Sequence, residues 1–176
     1  DRRPAAQDAR PGRRHPRCQG VTRIGIAGAG AWGMALAAAA RRAGAEPIVW
    51  SRRGEAASTA QLRVTGDPST LTGVDSLLLT VSAQETESVA ARLAPHLGSA
   101  LPLVVCAKGV QRHGHLLLSD AVAAALPGRP IAILSGPTFA REVADGLPTA
   151  VTIASRDQRL AELLATWLGS ATFRPY

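Results

Sequence analysis

Apolar positions in this chain fall into short continuous runs that alternate with stretches of helical spacing. Residues 23–27, Arg-Ile-Gly-Ile-Ala, read as a short buried strand that runs straight into a glycine-rich turn. Residues 34–43 then read as an alanine-rich helix closed by Gly44, and residues 47–50 as a second strand. Strand, glycine turn, helix and strand thus fit the span of one βαβ unit. The run 76–81 is predominantly apolar and of strand length, as expected for a parallel sheet covered on both faces. Further strands are predicted over 103–106, 131–134 and 150–154, with a last one starting near Thr172. Helices are predicted over 83–93, 116–126, 139–144 and 159–168, and a short one near 55–62 in an otherwise weakly patterned stretch. Regular alternation of strand and helix predicts an α/β fold with a doubly wound, mostly parallel Rossmann-type sheet over residues 21–176.

Residues 1–20 show no such pattern. They are rich in Pro, Arg and Gly, and the expectation is a disordered tail. Residues 1–22 hold six arginines against two aspartates, so more than half of the +7 net charge sits there. An arginine-rich arm can bind nucleic acid, but no aromatics are interleaved with it, so a solvated tail is the preferred reading. No apolar run approaches the roughly 18 residues that a membrane span needs, and the tail lacks the apolar core of a secretory signal. Two cysteines, Cys18 and Cys106, suggest neither a disulfide framework nor a metal cluster. The four histidines show no ligand spacing, and no metal is expected. A soluble, cytoplasmic protein is therefore expected. Opening on Asp rather than Met also suggests a fragment.

The candidate chemistry begins at Gly28-Ala29-Gly30-Ala31-Trp32-Gly33. A phosphate-binding turn needs a tight bend, close backbone approach and free N–H groups at a helix start. Gly28 suits the bend, Gly30 the approach of a pyrophosphate, and Gly33 the packing of helix on strand. The partial positive charge of the helix N-terminus favours the phosphates. An NAD-specific site presents an acid at the end of the second strand, whereas this chain has Ser51-Arg52-Arg53. A guanidinium pair suits the 2′-phosphate of NADP, so NADP(H) is favoured over NAD(H). The alternative is that both arginines are ordinary solvated loop charges. Of the 20 basic residues, 19 are Arg and one is Lys, at position 108. Such a survivor suggests chemistry that needs a compact, titratable amine.

Three segments carry a family resemblance. GAGAWGMALA (28–37) resembles the opening motif of the NAD(P)-dependent glycerol-3-phosphate dehydrogenases. Cys106-Ala107-Lys108-Gly109-Val110 is similar to that family's Ser-Lys-Gly-Ile segment. LSGPTFAREVADGLPTAVTIAS (134–155) resembles the family signature almost residue for residue, and residues 173–176 resemble the strand that closes its N-terminal domain. The resemblance implies reversible reduction of dihydroxyacetone phosphate to sn-glycerol 3-phosphate, an oxidoreductase step that feeds phospholipid biosynthesis. It implies that Ala31, Trp32, Arg52 and Arg53 line the cofactor, that Ala140 touches it, and that Lys108 lies between cofactor and substrate. Gly136 and Thr138 are then substrate contacts. Thr138 is equally readable as the N-cap of the following helix, Glu142 and Asp145 as solvated charges, and Cys106 as a buried strand residue.

Two departures from the family pattern stand out. The segment 54–74 is shorter than usual, and the family's all-helical C-terminal domain has no counterpart here. That domain carries the general-acid lysine, so no catalytic residue of that kind is assigned in this chain, and the expectation is cofactor binding with negligible turnover. For the full-length protein the resemblance leaves room for a homodimer. A non-catalytic dinucleotide-binding module, or a truncated pseudoenzyme, is the alternative reading.

Overall fold

A single eight-stranded sheet organises the chain, in the order β3-β2-β1-β4-β5-β6-β7-β8. The computed structural model describes residues 20–59, 62–112 and 114–176. The elements are β1 (Arg23–Ala27), α1 (Ala31–Arg42), β2 (Glu46–Trp50), β3 (Val64–Thr65), β4 (Ser76–Leu79), α2 (Thr86–Leu93), β5 (Leu103–Val105), α3 (Leu118–Ala125), β6 (Ile131–Ser135), α4 (Ala140–Asp145), β7 (Thr149–Ser155), α5 (Gln158–Leu168) and β8 (Phe173–Pro175). β1 to β6 are parallel in the order 3-2-1-4-5-6 of a doubly wound dinucleotide fold. β7 turns antiparallel against β6, and β8 runs parallel to β7. The tail expected over residues 1–20 lies almost wholly outside the described residues.

Burial explains why the strands read as unbroken apolar runs. Side chains alternate between the faces, and helices cover both. Leu78 and Val104 face the layer of α1, α4 and α5, whereas Leu77, Leu79, Leu103 and Val105 face α2 and α3. Small residues set the spacing of the first layer, because α1 buries Gly33, Ala35, Ala37, Ala39 and Ala40 around Leu36. The helix closes with Gly44 at φ 87°, where Gly44 N–H donates to Arg41 O and Ala45 N–H to Ala40 O, each at 3.0 Å. That pair of bonds is a Schellman motif, and only a residue tolerant of the left-handed region forms it without strain.

Differences from the expected elements are local. α1 starts at Ala31, three residues ahead of the periodic alanine run, because Gly33 belongs to the helix's first turn. Helix α2 starts at Thr86 rather than residue 83. The helix expected near 55–62 is a 3₁₀ turn over Gly54–Ala57, and residues 60 and 61 lie outside the described residues. Strand β3 has only two residues, too few to show a period. Among the described residues, no helix is long and apolar enough to cross a membrane.

Candidate functional site

The glycine turn sits where β1 ends, between the ends of β2 and β4. Gly28 has φ 122°, a conformation that L side chains rarely adopt, and its N–H donates to Trp50 O at 2.8 Å. Beneath it lies Thr80, whose Oγ1 donates towards Ala27 O and Gly28 O, each at 3.0 Å. A Cβ on Gly28 would stand 2.8 Å from Thr80 Oγ1, and a Cβ on Gly33 would stand 1.9 Å from Gly28 O. Both glycines are therefore demanded by packing within the protein. Gly30 is different: its backbone is ordinary, with φ −76° and ψ 175°, and a Cβ there would meet nothing within 4 Å. Neither contact nor conformation explains its missing side chain.

Gly30 is also the N-cap of α1. No side chain caps that end, and no acid lies in the first turn. The first N–H groups and the positive end of the helix are left free for an anion. Ala31 is exposed beside them. Trp32 is half-buried, and its indole Nε1 is buried with no hydrogen-bond partner among the described residues. A cradle of this shape and charge fits a pyrophosphate.

Ser51, Arg52 and Arg53 leave the end of β2 on the same side. Both arginines are exposed. Arg52 pairs with Glu85, which stands just ahead of α2. For Arg53 no ion pair is found among the described residues. The acid absent from the end of β2 is thus brought to Arg52 from the end of β4, 33 positions away.

Beyond the ends of β5 and β6 the two other motif segments meet. Lys108 is exposed, and its Nζ donates to Gly136 O at 2.9 Å. Gly109 follows with φ 116°, which turns the chain sharply after the lysine. A Cβ on Gly136 would stand 3.2 Å from Ala150 O and 3.2 Å from Val151 Cα, so this loop lies tight against β7. Thr138 N–H donates back to Gly136 O at 3.0 Å, while Thr138 Oγ1 is buried with no partner among the described residues. The N-cap of α4 is Phe139, with no side-chain cap bond, so the N-cap reading of Thr138 is corrected. Its hydroxyl is tucked into the loop instead of reaching the helix amides. Ala140 opens α4 and packs on the same apolar layer as Trp32.

Cys106 is buried at the end of β5, and burial pushes its thiol far above the usual range. It is an apolar packing residue in this setting. Glu142 and Asp145 are exposed, the latter 3.7 Å from Arg141 Nε. The sequence reading missed two residues at the site. Thr80 had a faint signal, a hydroxyl within an apolar run, whereas Glu85 had none.

Comparison with known proteins follows the same lines. Residues 59–161 match a family model described as the N-terminus of NAD-dependent glycerol-3-phosphate dehydrogenase. A glycerol-3-phosphate dehydrogenase (NAD(P)+) of Parvibaculum lavamentivorans is 42% identical over 171 residues, covering 88% of this chain and 51% of that protein. One from Paramagnetospirillum magneticum is 42% identical over 173 residues, covering 89% and 63%. A crystal structure of glycerol-3-phosphate dehydrogenase from Coxiella burnetii aligns with a TM-score of 0.80 at 31% identity, over 89% of this chain and 53% of that one. The chain spans about half the length of several of the relatives it matches.

Proposed function

The chain belongs to the family of N-terminal domains of NAD-dependent glycerol-3-phosphate dehydrogenases, and on that premise we propose that it is the dinucleotide-binding half of such an enzyme. The reaction is the reversible reduction of dihydroxyacetone phosphate to sn-glycerol 3-phosphate, with NADP(H) favoured over NAD(H). The observation that carries the reading is Gly30, a position with room for a side chain and no backbone reason to lack one, at the uncapped start of α1. A pyrophosphate in that space supplies the reason.

When bound, the nicotinamide supplies the hydride. The remaining roles belong to this chain's own residues. Free amides at the start of α1, beside Gly30, Ala31 and Trp32, hold the pyrophosphate, with Gly28 and Gly33 closing the turn beneath. Arg52 and Arg53 face the ribose 2′ position, and a phosphate there gains charge-assisted bonds. Ala140 closes the cofactor side near Trp32. Lys108 holds its ammonium beside Gly136 O, where it orients an anionic substrate and polarises a ketone oxygen. Thr138 Oγ1 and the Gly136 loop offer further contacts to substrate oxygens. The proton for the ketone oxygen is assigned to the lysine of the helical domain that family members carry.

Fluorescence titration of the 176-residue chain with NADPH and with NADH tests the reading. Saturable binding of both, tighter for NADPH, supports it. Failure of both to bind overturns it.

A further inference from the structure

We propose that Glu85 is a specificity-determining residue, which restrains Arg52 and makes the site less selective for NADP(H) than its two arginines would be alone. The inference rests on the dinucleotide reading above.

In the sheet, β1 lies between β2 and β4. Arg52 follows the end of β2, and Glu85 follows the end of β4 at the start of α2. Their ion pair therefore crosses over the end of β1, beside the glycine turn, on the side where the adenosine half of a dinucleotide would lie. The Glu85 carboxylate is held in place by more than Arg52. Its other oxygen accepts from Ser82 Oγ at 3.1 Å, and its position just before α2 favours a negative charge. Both partners remain solvent-accessible, at 60% and 38% exposure, so the pair stands where a ligand can reach it.

Two consequences follow for a ribose 2′-phosphate. An arginine engaged by a carboxylate has fewer donors to turn towards it, and the carboxylate itself repels it. Arg53, for which no ion pair is found among the described residues, keeps its full attraction. A ribose 2′-hydroxyl carries no charge, so it escapes the repulsion and depends less on charge-assisted donors. Glu85 thus lowers affinity for the phosphorylated dinucleotide more than for the other.

The test is a set of dissociation constants for NADPH and NADH on the full chain, its Glu85→Gln and Arg52→Gln variants, and the double variant, at low and high ionic strength. Glu85→Gln keeps the shape of the side chain and one acceptor oxygen while removing the charge, and its melting temperature serves as a folding control. The expected result is NADPH binding about five-fold tighter, the effect of one unit charge near a phosphate in water. NADH binding should change by less than about two-fold, as an exposed neutral contact would. The gain should shrink in the Arg52→Gln background and at high ionic strength. An unchanged NADPH-to-NADH ratio overturns the proposal. So does a selective loss of NADH binding, which would make Glu85 an acceptor for the ribose hydroxyl. If the unmodified chain binds neither dinucleotide, the cofactor reading fails and takes this inference with it. If it binds both and the variants change nothing, only the inference fails.

Discussion

Lys108 and Gly136 meet across the ends of β5 and β6, with the ammonium donating to the Gly136 carbonyl at 2.9 Å. Each comes from a different motif, and neither is near the other in sequence. The bond gives a long, exposed side chain one orientation, and Gly136 is itself held by its close approach to β7. A donor fixed in this way would be pre-organised for an anionic ligand.

Lys108→Ala is expected to leave the fold intact, because an exposed side chain with one hydrogen bond contributes about 0.5 kcal/mol or less. Substrate recognition should suffer instead. In the NADPH complex, dihydroxyacetone phosphate should shift the backbone amide resonances of Gly109, Gly136 and Thr138 in the unmodified chain. Those shifts should vanish in Lys108→Ala and should not return in Lys108→Arg, whose planar fork does not replace a compact ammonium. Persistent shifts in the alanine variant would remove Lys108 from the substrate site.

Thr138→Val separates stability from binding. The hydroxyl is buried without a partner, so the isosteric valine removes an unsatisfied polar atom. The unliganded protein should gain about 1 kcal/mol by denaturant melting. Response of the Gly136 loop to substrate should weaken in the same variant. A loss of stability would mean that the hydroxyl already has a structural partner.

Gly33→Ala should fail for a reason unrelated to ligand. The added methyl would overlap the Gly28 carbonyl at 1.9 Å and crowd Thr80 Oγ1 at 2.6 Å. Separating α1 from β1 to relieve that overlap should cost about 3 kcal/mol, a fall in melting temperature of roughly 10 °C for a domain of this size. An unaltered melting curve would contradict the packing described for this helix.

Much of this was legible in the chain itself because several levels agreed. Ile24, Ile26, Leu78 and Val104 declare buried strands on apolar character alone, and Gly44 marks the end of α1 through its left-handed backbone. That Lys108 and Gly136 each follow a strand was legible, but the bond between them was not. What escaped was short-range irregularity and long-range charge pairing. Val64 and Thr65 form a strand only because β2 offers an edge, and two residues carry no periodicity. Thr138 could be read as a helix cap as well as a substrate contact, because threonine is a favoured cap residue, whereas the helix is capped one residue later at Phe139. Glu85 reaches Arg52 only through the placement of β4 beside β1, which no local pattern encodes.

If Gly30 lacks a side chain for the sake of a ligand, Gly30→Val should fold normally and lose that ligand. Its backbone is already in a region open to valine, and no atom of the described residues lies within 4 Å of the new Cβ, so the melting temperature should stay close to that of the unmodified chain. Titration with NADPH should show binding abolished, because the valine methyls would occupy the space of the pyrophosphate. A folded Gly30→Val protein that binds NADPH with unchanged affinity would contradict the account.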